Sequence, residues 1–290
     1  MSWSLYRWTW RLESPLYVGI APAGSLNRCR LYIPARTFWA ALTAELARHR
    51  SPQNTNLFPD YDAIGKHLQT DFRFTYLYPA EEVNGNWKAW LPQYVCDKGL
   101  VWCSEKQPHQ QCEDRTFRQR LLHTRSGIAI DAVTDTTTEG SLRETECVQT
   151  RWRDDASQDA GPVAFVGYAL AKTPQAIDQL CSMEVLFVGG DTRYGLGKLR
   201  LIDKQEADHV FSHVELRGDS LVLKGNVVLA HTKTSRKMVG AREVLVGWDA
   251  RKRWLPAGDA TPLWTPGSRV DQKDPAAAFR IEQTGIWCLE

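Results

Sequence analysis

The chain has 290 residues, of which 43% are hydrophobic and 24% charged, and its formal net charge is +2. This length and composition describe a globular protein with one large core or two modest ones. They exclude a polycationic coat for nucleic acid, because a charge of +2 gives no global attraction for phosphates. Any nucleic-acid surface is therefore a local basic patch.

The first fifty residues predict a strand followed by a helix. Alternating side chains favour a strand over Ser4–Ile20, interrupted at Ser14-Pro15. The clearest helix of the sequence is predicted over Arg36–Ala47, where apolar residues recur at helical spacing. Pro34 stands just ahead of it, at a place where helices tend to begin.

The middle of the chain predicts a strand, an irregular insertion and a hairpin. Aromatic residues alternate over Phe72–Tyr78, which favours a strand. Residues 80–120 mix Gly, Pro, Gln and charge without a clear period, which favours an irregular insertion. Gly127–Val133 and Leu142–Trp152 are predicted as the arms of a long hairpin that turns at Glu139-Gly140.

The last part of the chain predicts mostly short strands. A polar linker over 154–162 precedes a strand at Val163–Leu170 and a short helix at Thr173–Leu180. Further strands are predicted at Val222–Leu229, Glu243–Trp248 and Ile286–Leu289. The order of elements favours an α+β fold with two β-rich halves, 1–153 and 163–290, over a doubly wound parallel sheet.

A glycine-rich loop separates two apolar stretches near residue 190. It holds four glycines in nine residues: Gly189, Gly190, Gly195 and Gly197. Arg193 and Lys198 supply cations and Tyr194 a stacking surface, which together suit phosphates and bases. The spacing matches neither a P-loop nor a dinucleotide-binding motif. The alternative is a turn with a purely structural role.

The seven cysteines form an odd set without dense, regular spacing. This pattern predicts reduced thiols and a cytoplasmic protein. Cys96, Cys103 and Cys112, with His109 and His123, are the candidates for a zinc site. No CxxC pair is present and the spacing is irregular, so free thiols are favoured and no metal or other cofactor is predicted.

Three segments taken together resemble the RAMP superfamily, the RNA-binding subunits of CRISPR effector complexes. The first is Ser14–Gly19 followed by Tyr32–Leu42, the second is Arg125–Glu146, and the third is the loop Gly189–Lys198. Their order and spacing cover roughly the first 200 residues. The resemblance implies two ferredoxin-like (RRM-like) halves with antiparallel sheets, a long central hairpin and a glycine-rich loop.

Within this superfamily the resemblance allows two roles. One is a guide-coating backbone subunit, which in type III systems cuts target RNA with a loop aspartate. The other is a single-copy cap that holds the 5′ handle of the CRISPR RNA. The corresponding loop here, Ile20–Arg30, contains no Asp or Glu, which argues against metal-dependent cutting. The resemblance thus implies a non-catalytic cap whose partners are the CRISPR RNA, the large subunit and the guide-coating subunits.

The predicted RNA-binding residues come from the three resembling segments and the loop that lies between the two parts of the first. Arg36 is placed at a helix start, where backbone N–H groups and the helix dipole favour an anion. The set is Arg28, Arg30, Arg36, Arg125, Gly189, Gly190, Arg193, Tyr194, Gly195, Gly197 and Lys198. A second basic segment, Lys233–Lys237, is interpreted as a solvated turn.

Other functions remain open at this point. A metal-independent CRISPR-repeat endoribonuclease would use His49 or His123 as general acid or base. No convincing Ser, Tyr or Lys pattern accompanies these histidines or His67, and Asp131 falls in a motif that favours a structural role. No catalytic residue is therefore predicted. A guide-coating backbone subunit and an enzyme that binds a small phosphorylated molecule are the further alternatives.

Overall fold

The computed structural model describes residues 3–20, 22–50, 60–153, 160–173, 177–178, 180, 182–211, 214–217, 220–223, 225–249, 253–256, 261–270 and 277–289. Its fully described α-helices are α1 (Ala35–Arg50), α2 (Tyr61–Asp71) and α3 (Asp114–Leu121). A 3-10 turn covers Thr192–Tyr194. None of the described helices has the length and apolar character that crossing a bilayer requires.

Short strands make up most of the remaining regular structure. In chain order they are β1 (Ser4–Leu12), β2 (Leu26–Asn27), β3 (Phe72–Phe74), β4 (Tyr78–Val83), β5 (Asn86–Val95), β6 (Gly99–Ser104), β7 (Gln107–Glu113), β8 (Leu122–Gly127), β9 (Arg143–Val148), β10 (Ala164–Ala171), β11 (Val185–Phe187), β12 (Lys198–Glu206), β13 (His209–Val210), β14 (Val214–Arg217), β15 (Ser220–Leu223), β16 (Thr232–Lys233), β17 (Met238–Val239), β18 (Arg242–Glu243), β19 (Val246–Asp249), β20 (Arg253–Pro256), β21 (Leu263–Trp264), β22 (Arg269–Val270), β23 (Ala278–Ile281) and β24 (Trp287–Leu289).

A nine-stranded sheet combines strands from both predicted halves of the chain, between Ser4 and Glu206. Its order is β11-β12-β1-β10-β4-β5-β6-β7, and β3 also pairs with β10. The strand β1 lies between β10 and β12 and is antiparallel to both. Because β10 and β12 follow residue 163, the boundary predicted between 1–153 and 163–290 falls inside this sheet.

The helix α1 covers one face of this sheet with an aromatic core. Trp8 and Trp10 of β1 are buried, and their ring centroids lie 6.1 and 5.7 Å from that of Phe38 on α1. These contacts place the predicted helix where its apolar face meets the sheet. Helix α1 is confirmed close to its predicted position, whereas β1 covers only the first part of the strand predicted over Ser4–Ile20 and ends at Leu12.

The helix α2, which the sequence analysis did not predict, packs against α1. The indole Nε1 of Trp39 donates to the carbonyl oxygen of Gly65 at 3.1 Å. Asp60 caps the helix, since its carboxylate accepts from the backbone N–H of Ala63 at 2.9 Å. Helix α2 therefore forms a second helical layer that packs on α1.

The prediction of an irregular insertion over residues 80–120 is wrong. These residues form the antiparallel strands β4 to β7 and most of α3. Asn84 and Gly85, with φ of 53° and 73°, form the tight turn between β4 and β5. The rings of Trp102 and Phe117 stack with centroids 4.5 Å apart, which fixes α3 against this meander.

The central hairpin is present, but its strands are shifted from the predicted arms. Strands β8 and β9 pair from Leu122 opposite Val148 to Gly127 opposite Arg143. Strand β2 adds to β9 in parallel. Residues 128–142, which we call the lobe, lie beyond the last pair and are almost entirely exposed. The predicted arm Gly127–Val133 is therefore mostly outside the hairpin ladder.

A second sheet is built from the end of the chain. Its order is β13-β14-β15-β23-β24-β16-β21-β18, with β16 and β24 parallel and the remaining pairs antiparallel. Tyr78 of the first sheet donates from its hydroxyl to the carbonyl of Leu229 at 2.9 Å. The predicted α+β class with antiparallel sheets is confirmed.

Several predicted segments meet the structure only in part. The strand predicted at Phe72–Tyr78 is divided into β3 and β4 by residues 75–77. Of the predicted helix Thr173–Leu180, residues 174–176 and 179 lie outside the described residues, as do residues 154–159 of the predicted linker. Val222–Leu229 is strand only up to Leu223 in β15.

Candidate nucleic-acid interface

The glycine-rich loop is hydrogen-bonded to the turn that follows β1. The backbone N–H of Gly190 donates to the carbonyl of Tyr17 at 2.9 Å, and that of Gly197 donates to the carbonyl of Pro15 at 2.8 Å. Within the loop, Val188 donates to the carbonyl of Gly197 at 2.9 Å. Two of the segments that carry the family resemblance are thus joined directly through their backbones.

Two glycines of this loop are required by close backbone contacts. A Cβ at Gly189, with φ +89°, would lie 2.2 Å from the carbonyl oxygen of Tyr17. A Cβ at Gly197, with φ +78°, would lie 1.9 Å from the carbonyl oxygen of Val188. At Gly195, by contrast, a Cβ would meet nothing within 4 Å. The loop's own packing therefore accounts for Gly189 and Gly197.

A first cleft of about 570 Å³ lies between α1 and the glycine-rich loop. Arg36 and Arg48 of α1 line it together with Gly189, Gly190 and Thr192 of the loop. The cleft thus brings together four residues that the sequence places in one site, Arg30, Arg36, Gly189 and Gly190. Cations and loop backbone around an open cleft form a surface that suits an anionic ligand.

A second cleft of about 220 Å³ lies on the other side of the loop, against the hairpin. Arg125 of β8 and Tyr194 of the loop line it, together with Arg143 of β9. Tyr194 is 66% exposed. Arg143 was missed by the sequence analysis, although it lies directly opposite Gly127 in the hairpin register.

Four of the predicted arginines keep their charge available. Among the described residues, no carboxylate forms an ion pair with Arg28, Arg36, Arg125 or Arg193. Arg193 lies on the 3-10 turn, between Thr192, which lines the first cleft, and Tyr194, which lines the second. Arg28 follows β2 and lines neither cleft. Of the four, Arg36 lines the first cleft and Arg125 the second, whereas Arg193, on the turn between the clefts, lines neither.

Arg30, also predicted to bind RNA, is held in a buried ion pair. Its guanidinium donates to both carboxylate oxygens of Glu243, at 2.5 and 3.0 Å. Glu243 also contacts Nε2 of His231 at 2.5 Å, and the other ring nitrogen of His231 lies 2.6 Å from the Tyr76 hydroxyl. Arg30 therefore joins the wall of the first cleft to the second sheet.

The ionisation of this buried group follows from its contacts. Burial raises the pKa of Glu243, but hydrogen bonds from His231 and Arg30 outweigh it and lower that pKa to about 2. Burial lowers the pKa of His231, which is fully enclosed. A neutral His231 that donates to Glu243 and accepts from Tyr76 satisfies all three groups.

Lys198 is likewise paired within the protein. Its ammonium lies 2.9 Å from a carboxylate oxygen of Glu13, and Nε of Arg200 lies 2.5 Å from the other oxygen. Hydrogen bonds from Arg200 and then Lys198 lower the pKa of Glu13 to about 2. Lys198 thus shares this one carboxylate with Arg200 and with Arg11, which lies 3.3 Å from it.

The candidate histidines lie outside the two clefts. His49 lies 3.5 Å from Glu45 and His67 lies 3.1 Å from Asp71, each on the surface of its own helix. The pKa of His123 is lowered by burial, by Arg153 and by Arg125. No histidine is among the described residues that line either cleft.

The cysteine and histidine groups do not converge in the part of the chain that the structure describes. There, no three His, Cys, Asp or Glu side chains are placed to share a metal ion. The zinc candidates Cys96, Cys103 and Cys112 are free thiols. Lys233, Arg236 and Lys237 line neither cleft.

Comparison with known structures shows a likeness of fold. No protein-family model matches the sequence, and no curated protein matches it. A chain of the cryo-EM structure of the Type III-B Cmr-beta bound to cognate target RNA and AMPPnP is similar over 91% of this chain and 85% of its own, at 14% identity and a TM-score of 0.57. Chains in two further Type III-B Cmr-beta structures, one bound to cognate target RNA and one in the apo state, each reach a TM-score of 0.40 at 11% identity, over 68% and 69% of this chain and 96% of their own.

Proposed function

We propose that this chain is a non-catalytic, RNA-binding subunit of a type III CRISPR effector ribonucleoprotein that caps the 5′ handle of the guide RNA. The large subunit and the guide-coating subunits would be its protein partners. The observation that carries the proposal is the placement of two arginines without a carboxylate partner among the described residues, Arg36 in the cleft on one side of the glycine-rich loop and Arg125 in the cleft on the other. The likeness of fold over 91% of the chain supports it.

The first cleft supplies the phosphate-binding part of this proposal. Arg36 lies in the first turn of α1. The helix N-terminus and the guanidinium of Arg36 both attract an anion there. Gly189 and Gly190 bring backbone to the opposite wall. A strand of RNA that follows this cleft would place a phosphate between the helix start and the loop.

The second cleft supplies the base-binding part. The exposed ring of Tyr194 offers a stacking surface, and Arg125 and Arg143 lie beside it. Single-stranded RNA exposes the faces of its bases, which stack on aromatic rings while nearby cations hold the backbone. Contacts on both sides of one loop suit a short single-stranded end, which is why the cap is preferred over a repeated coat.

The absence of catalysis is part of the proposal. The loop Ile20–Arg30 carries no Asp or Glu, so the carboxylate needed for metal-dependent cutting is missing from that segment. His49 and His123, the candidates for metal-free cutting, line neither cleft. We therefore assign cleavage to other subunits.

The test is a binding titration with a 5′-labelled, repeat-derived RNA over a series of salt concentrations, followed by inspection of the RNA for cuts. Arg36→Ala and Arg193→Ala should weaken binding and each reduce the log–log salt slope by about 0.7, the value for one phosphate of a single strand. Arg280→Ala is the matched control, since Arg280 is exposed on β23 of the second sheet.

Each other outcome points to a different function. RNA that is cut without divalent metal, with loss of cutting in His49→Ala or His123→Ala, would make this chain a repeat endoribonuclease. Binding of many copies along one RNA would make it a guide-coating subunit. Equal affinity of the Arg36, Arg193 and Arg280 variants would contradict the proposed site.

A further inference from the structure

The lobe (residues 128–142) exposes apolar side chains on the outside of the molecule. Ile128, Ile130, Val133 and Leu142 are 52%, 56%, 94% and 58% exposed. Single exposed aliphatic residues are ordinary on a protein surface, but four within one short segment indicate a contact surface. Ile128 also lines the second cleft, whereas Ile130, Val133 and Leu142 line neither of the proposed RNA-binding clefts.

The backbone of the lobe is held by its own hydrogen bonds. The N–H of Asp131 donates to the carbonyl of Thr136, and the N–H of Thr138 donates to the carbonyl of Ala129, both at 2.9 Å. The carboxylate of Asp131 accepts from the N–H groups of Val133 and Thr134 at 2.8 and 3.0 Å. The apolar side chains are therefore presented on a preformed support, which reduces the entropy lost on binding.

The charge of the lobe is entirely negative. Asp131, Asp135 and Glu139 lie within it, and residues 128–142 contain no Lys, Arg or His. Three carboxylates repel the phosphates of RNA and attract a basic protein surface. The cations of this region, Arg125 and Arg143, lie below the lobe in the hairpin.

We propose that the lobe docks into an apolar groove of a different protein chain whose rim carries Lys and Arg. The four aliphatic side chains would fill the groove, and the carboxylates would pair with the rim. The choice of a protein rests on charge complementarity, because the same apolar residues on a basic support would suit RNA equally well. The experiment rests on the proposed function, since it uses the subunits that co-assemble with this chain.

The identity of the occupant is tested with a photoreactive side chain in the assembled ribonucleoprotein. The residue p-benzoylphenylalanine replaces Val133, whose 94% exposure means that the change leaves the fold intact. After irradiation we expect an adduct that resists ribonuclease and contains a Lys- or Arg-bearing peptide of another subunit. An adduct with RNA, an adduct with a second copy of this chain, or no adduct would each overturn the proposal.

The charge contribution is tested with two variants that keep the shape of the lobe. Asp135→Asn suits the positive φ of 53° at that position, and Glu139→Gln removes the other free charge. Together they should weaken retention of this chain in the assembly about threefold to tenfold at low salt. Glu82→Gln, at an exposed carboxylate on β4, is the control and should have no effect. Equal retention of the double variant Asp135→Asn/Glu139→Gln and of the control Glu82→Gln would also overturn the proposal.

This experiment separates the docking surface from the RNA site. Binding of the isolated chain to RNA reports on Arg36 and Arg193, whereas the adduct at position 133 reports on the lobe. If the chain fails to join the assembly at all, the proposed function is wrong. If it joins and the photoreactive residue contacts RNA, only the docking proposal is wrong.

Discussion

The guanidinium carbon of Arg143 lies 5.2 Å from the ring centroid of Tyr194. Arg143 begins the second strand of the hairpin, and Tyr194 ends the 3-10 turn of the glycine-rich loop. This cation–π contact joins two segments that are fifty residues apart in the sequence. Both side chains are exposed, so the pair forms a ready surface for a base and its phosphate.

Removal of the Tyr194 ring should weaken RNA binding without weakening the fold. Stacking of one base contributes about 1–3 kcal/mol, so Tyr194→Ala should raise the Kd about fivefold to a hundredfold. Tyr194→Phe keeps the ring and should stay close to the wild type. Because the side chain is 66% exposed, unfolding curves of both variants should match the wild type. Equal affinity of the Ala and Phe variants would mean that no base stacks there.

Alanine should be tolerated very differently at three glycines of one loop. At Gly189 and Gly197 the new Cβ would meet backbone oxygen at 2.2 and 1.9 Å, and φ is positive at both. Each substitution should cost about 3 kcal/mol or more of unfolding free energy. At Gly195 only the positive φ opposes the change, so the cost should be about 1–2 kcal/mol. Denaturant unfolding of the three variants measures this order.

Loss of the Glu243 carboxylate should destabilise the protein strongly. Glu243→Ala leaves the guanidinium of Arg30, which is 8% exposed, without its ion-pair partner. Breaking a buried pair in this way costs about 3–5 kcal/mol. The control is Glu45→Ala, which removes the carboxylate of an ion pair whose Arg48 side chain is 52% exposed and should cost at most about 1 kcal/mol. Similar midpoints of urea unfolding for the two variants would disprove the assignment.

The stability of the protein should fall as the solution becomes acidic. Burial lowers the pKa of His231 from 6.5, so below that pH the unfolded chain binds a proton that the folded chain does not. The pKa of Glu243, lowered from 4.5 to about 2, adds stability that is present above 4.5 and lost as the pH falls toward 2. Unfolding free energy should therefore decrease from pH 6.5 downward.

The variant His231→Gln tests whether His231 causes the loss of stability that begins at pH 6.5. His231→Gln removes the imidazole that titrates and keeps an amide that can donate to Glu243. Compared with the wild type, its unfolding free energy should change less between neutral pH and the onset of carboxylate titration. An unchanged slope would show that His231 does not contribute, and His123, whose pKa is also lowered by burial, would be examined next.

The cysteines should react in an order set by burial. Cys29 is fully buried, and burial raises the pKa of its thiol to about 12. Cys147 is buried as well, and its pKa is raised to about 11. Cys96 is exposed. In the native protein iodoacetamide should therefore modify Cys96 first and leave Cys29 and Cys147 unmodified until denaturant is added; mass spectrometry of peptides reads the order.

The sequence predicts the elements whose pattern is strong and local. Helix α1 follows from apolar residues at helical spacing behind Pro34, and β1 from strict alternation. The meander of β4 to β7 was missed because tryptophan, proline and charge interrupt its alternation. The Asn84-Gly85 pair, whose residues both have positive φ, was the available signal, since this pair is typical of a two-residue hairpin turn.

The candidate site likewise has a part that the sequence predicts and a part that it does not. The sequence places Arg36, Gly189 and Gly190 in one site, and the structure brings them to one cleft. The sequence does not indicate that Arg30 forms an ion pair with Glu243, because the two residues are more than two hundred positions apart. Long-range pairing depends on the register of two sheets, and a local pattern of charges does not contain that register.

The position of β1 has a consequence for synthesis on the ribosome. This strand is made before both of its neighbours, Ala164–Ala171 and Lys198–Glu206, and more than 150 residues separate it from the nearer one. Until those segments have been translated, both edges of β1, which carries Trp8 and Trp10, lack their hydrogen-bonding partners. Such distant pairing slows folding and leaves a nascent chain prone to association with its neighbours. The order of translation thus makes a chaperone or an early partner most useful between the synthesis of β1 and that of β12.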